Sequence, residues 1–390
     1  MSEAAIAPDR PEAGAPIRIG VLRLTDSAPI IAAHELGFFA DEGLDVALSI
    51  EPSWANVADK LAYRALEAAA ITPPLAIAIS LGLRGGPQPL IIPFALSLGG
   101  NTITLAKPLA DAVKAAQERG SGVAEALAKS LKGLSPKPVL AVVHDYSTHN
   151  LLLRYWLATV GLVAERDFEI VVTPPARTLE TLQAGRIQGF CAGAPWGDIA
   201  ARAGAGATIA TSNDIWRNAP EKALGVREAW ANANPAALHG LLRALYRAAR
   251  FCDAPQNAAY IASLLARRAY LAVDSHAILS SLPGTLGSQT VSAFHRHAAT
   301  FPWRSHALWM HAQMVRWGLI GGDSALREAA AAIYRPDVYA AALAPRGAPI
   351  PTADLKREGG HAEAWSVAAS PAPIAMEPDL FCDGAVFDAD

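Results

Sequence analysis

Several short stretches of this sequence carry side chains suited to holding a small anion. Trp54 follows Ser53 and opens a helix directly after a strand ending at Ile50, where free backbone N–H groups and the helix dipole favour negative charge. Its indole adds a donor. Thr148-His149-Asn150 begins a second helix after a strand ending near His144, so the same geometry recurs. Pro220-Glu221-Lys222 brings a cation to a place where the chain is expected to cross between two lobes. Cys191-Ala192-Gly193-Ala194-Pro195-Trp196 leaves another strand with residues small enough for a backbone to approach a ligand closely. Each stretch also has a plainer account. Trp54 serves equally well as a core aromatic and His149 as a structural histidine, and His144 is as good a candidate for the anion as His149. Lys222 fits a solvated surface lysine, and Cys191, among apolar neighbours, an inert buried thiol.

Other chemistry finds no foothold. The chain has no GxSxG, HExxH, Walker A or GxGxxG pattern, and Gly82 to Gly86 lacks the Lys-Ser/Thr that a phosphate cradle needs. His295, His297, His306 and His311 cluster in sequence, but not at the i, i+4 spacing that places zinc ligands on one helical face. The expectation is a binding protein, not an enzyme, with no metal and no cofactor.

The elements that would position these residues alternate. Apolar runs at 17–24, 45–50, 68–71, 90–96 and 102–106 read as strands, and helices are predicted over 29–39 and from Ser53 to about Glu67. Residues 90–96 and 102–106 flank a Gly99-Gly100 turn, and 108–133 reads as helical. A second β/α run follows, with strands at 138–143, 168–172 and 189–192 and helices near 148–160 and 177–184. From Pro235 the pattern is helical, over 238–251, 258–270, 288–298, 305–317 and 325–334. The predicted fold class is α/β: two α/β lobes with a central ligand cleft and a helix-rich C-terminal part. The expected division is a disordered arm over 1–16, a first lobe of 17–105 with 223–343, a second lobe of 106–222, and a proline-rich tail over 344–390.

Of the 390 residues 52% are hydrophobic and only 18% charged, which supports a large buried core and excludes a disordered chain. The 33 Lys and Arg nearly balance 36 Asp and Glu, so no global field would hold nucleic acid or an anionic membrane. The three cysteines are too few and scattered for a disulfide framework. The first sixteen residues carry Glu3, Asp9 and Glu12 without a basic or apolar segment, and the longest uncharged stretch, 85–106, is broken by Gly and Pro. A cytoplasmic protein is the expectation.

The segments DSAPIIAAHELGFFADEGLDV (26–46), THNLLLRYWLATVGL (148–162), GFCAGAPWG (189–197), NAPEKALGVRE (218–228) and FPWRSHALWMHAQMVRWGLI (301–320) resemble the nitrate and bicarbonate solute-binding proteins of ABC transporters, the NrtA/CmpA type. The resemblance spans about residues 17 to 334. It implies the type II periplasmic-binding-protein architecture, with an oxyanion held in the cleft by Trp54, Asn101, His149 and Lys222. Asn101 stands where the relatives carry a glutamine, and Pro195 and Trp196 match a Pro-Trp pair near the pocket. Nitrate and nitrite are small, singly charged and weakly hydrated, so one cation plus neutral N–H donors can replace their water. A carboxylate in the same place would argue for bicarbonate and a metal instead. None is expected, since Glu51 precedes Pro52 and Glu221 is expected to face away.

Within that family the chain is similar to the NasS-type cytoplasmic nitrate/nitrite sensors. That likeness implies a partner, a NasT-like RNA-binding antiterminator of the ANTAR type, held without anion and released with it. The alternative is the solute-binding subunit of a nitrate or related-anion ABC transporter. An enzyme of the same architecture, the thiamin-pyrimidine synthase type, would need a cysteine-rich iron motif that Cys191, Cys252 and Cys382 do not make. Replacing His149 is expected to weaken binding and to change its pH dependence.

Overall fold

The computed structural model describes residues 15–132, 134–284 and 292–389. In chain order the strands of its two main sheets are β1 (Ile17–Leu22), β2 (Val46–Glu51), β3 (Ala68–Ile71), β4 (Leu90–Ala95), β5 (Asn101–Ala106), β6 (Val139–Val142), β7 (Glu169–Val172), β8 (Gly189–Gly193), β9 (Gly206–Thr211) and β10 (Ala223–Arg227). The first sheet has the order β2-β1-β3-β10-β4 and the second β7-β6-β8-β5-β9. β1 runs parallel to β2 and β3, and β6 parallel to β7 and β8. β10 and β5 are antiparallel to both of their neighbours. Each lobe therefore contains one strand that has just crossed from the other lobe. An antiparallel strand starts where its parallel neighbours end: Ala223 lies opposite Ile71, and Asn101 opposite Gly193. The residues entering β5 and β10 are thereby delivered to the carboxyl edge of the sheets, where open α/β folds bind ligands.

The two crossings run side by side. Leu96 N–H donates to Lys222 O (2.7 Å), Glu221 N–H to Ser97 O (3.0 Å) and Gly99 N–H to Ala219 O (2.8 Å). Gly99 and Gly100 have φ of +70° and +88°, and a Cβ on Gly100 would collide with Ser292 Oγ, so this stretch needs glycine. The expected lobe boundary at 105 is corrected by this hinge. Asn101–Ala106 pairs with β8 and β9 in the second lobe, because Gly99-Gly100 joins two lobes, not two neighbouring strands. Both flanking strands are apolar, and their hydrophobicity alone carries no record of which sheet each joins.

The helices shift in similar ways. The Trp54–Ala62 helix is capped by Ser53 Oγ, which accepts from Asn56 N–H (3.3 Å), and it buries Trp54, Val57, Ala58 and Leu61. It stops short of Glu67, since Tyr63 is exposed and Arg64 takes φ +59°. The helix expected over 108–133 divides into Lys107–Glu118 and Val123–Leu131 around Gly120. The Trp196–Arg202 helix and β9 add to the expected elements. Of the helix expected over 288–298, residues 288–291 lie outside the described residues and 292–298 are not helical. There the N–H groups of Phe294, His295 and Arg296 donate to the Asp253 carboxylate (2.9, 3.0 and 2.7 Å), which holds the chain in a turn. The arm over 1–16 falls outside the described residues up to residue 14.

Residues 344–390 are poorly periodic but, as far as they are described, not a loose tail. Phe381 is buried among Trp216, Tyr155 and Trp309, with centroids 4.7, 5.5 and 5.8 Å away. Cys382 N–H donates to Ile215 O (2.8 Å), Tyr155 OH to the Asp383 carboxylate (2.9 Å) and Arg327 to Ala389 O (2.6 Å). This strap ties the Thr148–Ala158 helix, the second crossing and the Arg304–Arg316 helix together. Phe381→Ala is expected to destabilise the protein by about 3–5 kcal/mol, the usual range for a buried aromatic, read as a lower urea midpoint at unchanged slope.

Candidate functional site

The candidate residues arrive at one buried point between the lobes by the same structural logic. Asp26 lies in the Thr25–Ser27 turn beyond the end of β1, and Trp54 opens the helix beyond β2. From the second lobe, Thr148 and His149 open the helix that follows β6, and Asn101 begins β5. Ser147 Oγ caps that helix by accepting from Asn150 N–H (3.2 Å). Glu221 and Lys222 end the second crossing, immediately before β10. Asp26, Trp54, Asn101, Thr148, His149, Glu221 and Lys222 are all buried, and Lys222 is completely inaccessible.

These side chains form a charged network. Lys222 Nζ donates to Glu221 Oε2 and lies 3.0 Å from Asp26 Oδ2, and it sits 5.5 Å from the centroid of the Trp54 ring. Glu221 Oε1 accepts from Asn101 Nδ2 and from the Thr148 hydroxyl. The expectation that no carboxylate reaches the site, with Glu221 facing away, is thus corrected: Glu221 and Asp26 both do, the feature expected to favour bicarbonate and a metal, but the Lys222 ammonium contacts both and supplies the cation there. Asn101 and Thr148 supply donors that hold the Glu221 carboxylate inward, which adjacency to Lys222 in sequence could not indicate. Glu51, by contrast, is held by Lys60 (2.7 Å) and Ser49 (2.6 Å). Sequence reasoning misses Asp26, although its place just after a buried strand is the same signal that marks the other sites.

Several polar atoms of the cluster are buried with no protein hydrogen-bond partner: Trp54 Nε1, both ring nitrogens of His149, Asn101 Oδ1 and Asp26 Oδ1. Each such atom left unsatisfied costs about 1–3 kcal/mol, so five of them on four side chains of one cluster make it the candidate ligand site. Asp26 and Asn101 flank one cradle: a Cβ at Gly193 would lie 3.5 Å from Asp26 Oδ2 and 3.6 Å from Asn101 Oδ1. Burial, then Lys222, push the His149 pKa well below its ordinary value, which leaves a neutral ring with one N–H donor. Burial raises the Asp26 carboxyl against the pull of Lys222. Burial opposes charge on Lys222, but Asp26 and Glu221 outweigh it and hold the ammonium above its usual pKa. Cys191 is buried with its thiol pushed up, in keeping with an inert role.

The Ala194 carbonyl and the Trp196 indole bind the first lobe. Trp196 Nε1 donates to Arg23 O (2.9 Å), and Thr25 N–H donates to Ala194 O (2.9 Å), so the segment clasps the first lobe and offers its indole N–H to no ligand. Thr72 Oγ1 donates to Tyr146 O (3.0 Å) and Arg84 Nη1 lies 3.3 Å from His144 Nε2, which completes a closed arrangement of the lobes. His144 belongs to this clasp, and burial followed by Arg84 lowers its pKa to about 4. A groove of about 340 Å³, lined by Arg23, Glu51, Pro52, Ser53 and Asn56 on one lobe and Pro174 to Arg177 on the other, opens beside the Trp54 helix. His295, His297 and His306 turn to Tyr246, Glu377 and Glu358. Among the described residues no group of three His, Cys, Asp or Glu side chains is placed to hold a metal. No helix among them is long and apolar enough to cross a membrane.

Two α/β lobes joined by a paired hinge, closed over a buried polar cluster, define the two-lobed solute-binding class of the periplasmic-binding-protein fold. The chain belongs to the NMT1-like family, which it matches over residues 10–266, and within it to the NrtA/CmpA type. It is 36% identical over 360 residues to the nitrate import ATP-binding protein NrtC of Synechocystis sp. strain PCC 6803, covering 88% of this chain and 51% of that protein. It is 30% identical over 360 residues to the nitrate/nitrite binding protein NrtA of Synechococcus elongatus, covering 87% of this chain and 80% of that protein. The crystal structure of the periplasmic nitrate-binding protein NrtA from Synechocystis PCC 6803 superposes with a TM-score of 0.81 at 27% identity, over 96% of this chain and 95% of that one. The chain spans about half the length of NrtC.

Proposed function

We propose that this chain is an oxyanion receptor that closes its lobes on nitrate or nitrite at the Lys222 site, as the solute-binding component of an anion import system. The observation that carries the reading is the buried cluster itself, a lysine ammonium beside Trp54 and His149, whose donors have no protein partner. Such donors suit a planar, weakly hydrated acceptor, and closure desolvates the set so that each contact counts for more. The likeness to proteins named for nitrate import and nitrate/nitrite binding, and equally to proteins named for bicarbonate transport, supports an oxyanion ligand and the transport role, and the Lys222 cation favours nitrate. The reading involves binding and closure, without a chemical step. The cytoplasmic sensor reading uses the same site and differs in location and partner. It requires a complex with a NasT-like antiterminator that nitrate dissociates, and a complex indifferent to nitrate would remove it.

The ligand is tested by thermal unfolding against an anion panel. At a hundred times its Kd a ligand stabilises the folded state by about 2.7 kcal/mol. Nitrate and nitrite are expected to raise the melting temperature at concentrations where sulfate and chloride leave it unchanged. Equal shifts for all of them would reduce the effect to ionic strength and overturn the reading.

A further inference from the structure

Two helix N-termini open onto this site, but its formal charges oppose an anion. The cluster sets two carboxylates, Asp26 and Glu221, against one ammonium, Lys222, and the neutral His149 adds no charge. Adding a monovalent anion to a buried site of net charge −1 is opposed by Coulomb repulsion that little water screens. Something must arrive with the anion or leave before it.

The hydrogen bonds single out where a proton would go. Glu221 is the better satisfied carboxylate, with bonds on both oxygens: Oε1 accepts from Asn101 and Thr148, and Oε2 from Lys222. Protonating it would set an O–H against donors already in place. Asp26 has only Lys222, on Oδ2, and its other oxygen Oδ1 is buried with no partner. The groups that bear on Asp26 come from every neighbouring element. Lys222 and Glu221 reach it from the second crossing, and His149 and Cys191, from the Thr148 helix and β8, lie within the electrostatic reach of Lys222. Ser281 binds the neighbouring Thr25 hydroxyl (3.1 Å), and the Arg23 guanidinium is turned away onto the Tyr270 carbonyl. None of these supplies Asp26 with a second cation.

We propose that Asp26 makes anion capture proton-linked: the oxyanion enters the site together with one proton from solvent, which resides on Asp26 Oδ1. This inference rests on the reading of the site as an oxyanion receptor. The proton does two things at once. It brings the protein's contribution at the site from −1 to zero before the anion is added. It also converts an acceptor that would repel nitrate into an O–H donor, alongside Trp54 Nε1–H and the one N–H of His149. Nitrate accepts and cannot donate, so the conversion matches the site to the ligand. Because burial already raises the Asp26 carboxyl, only a further increase on anion binding is required. A group whose pKa is higher in the complex than in the free protein makes affinity rise as pH falls.

The test is isothermal titration of the full chain with sodium nitrate, an acceptor throughout the working range, in two buffers of different ionisation enthalpy. Near pH 8 wild type is expected to take up close to one proton per nitrate, and its affinity is expected to weaken by up to about tenfold per pH unit as pH rises. Asp26→Asn is expected to take up none, to bind with an affinity flat in pH, and to bind nitrate more tightly than wild type near pH 8. Nitrate bound by wild type without proton uptake overturns the proton link and leaves the receptor reading standing. Uptake that survives in Asp26→Asn overturns the assignment to Asp26. No nitrate or nitrite binding between about pH 5 and 8 overturns both. The wild-type buffer comparison decides the link even where the variant does not fold.

Discussion

Replacing Lys222 with methionine is expected to abolish nitrate binding, a loss of at least about a hundredfold, equivalent to about 2.7 kcal/mol. Removing one partner of a buried, hydrogen-bonded charge pair costs about 2–5 kcal/mol, and Lys222 supplies the cation of the cluster. The same change should destabilise the fold by about 3–5 kcal/mol, because Asp26 and Glu221 are then buried without a counter-charge. The two effects separate in the double variant Asp26→Asn with Lys222→Met. It relieves part of the stranded charge and should recover stability without recovering binding. Urea unfolding reads the stability and calorimetry the binding. Affinity within threefold of wild type in Lys222→Met would remove the lysine from the site.

His149→Ala is the second large effect. The ring is fully buried with neither nitrogen bonded to protein, and truncation is expected to weaken nitrate binding by about ten- to a hundredfold, the worth of a buried donor to a charged acceptor. Sequence reasoning expects this variant to alter the pH dependence as well, from the ordinary histidine pKa. The buried surroundings of the ring argue against that. Burial and Lys222 push the His149 pKa well below its usual value, so the ring stays neutral near pH 7 and contributes no proton of its own. The affinity of His149→Ala, plotted against pH, should run parallel to wild type and lower. A flattened slope would move the titrating group from Asp26 to His149.

Much of this site is legible in the amino-acid sequence, for an identifiable reason. Trp54, His149 and Lys222 occupy places that chain order and strand ends dictate, either the first turn of a helix beyond a parallel strand or the residue entering a strand that has crossed over. Asn101 comes from family resemblance and lands in the cluster through its bond to Glu221. What stays hidden in the sequence depends on side chains meeting across lobes. Glu221 turns inward because Thr148, 73 positions earlier, donates to it, and Asp26 matters because Lys222 reaches it. Trp196 reads as pocket lining, and its indole N–H goes instead to the Arg23 carbonyl of the opposite lobe. The fold divides in the same way. The alternation of strands and helices is local and readable, whereas Asn101–Ala106 joins the second lobe through pairings with residues 84 to 109 positions away. The strap around Phe381 has no period to read, because its order comes from the aromatic side chains of three distant elements.

The measurement that bears most directly on the central claim is isothermal titration of wild type and Lys222→Met, side by side, with nitrate and with sulfate. The account predicts saturable one-to-one binding of nitrate by wild type, no detectable nitrate binding by Lys222→Met, and no sulfate binding by either, since a divalent anion only adds to the negative charge of the cluster. Nitrate bound equally by both proteins, or sulfate bound as well as nitrate by wild type, would contradict it.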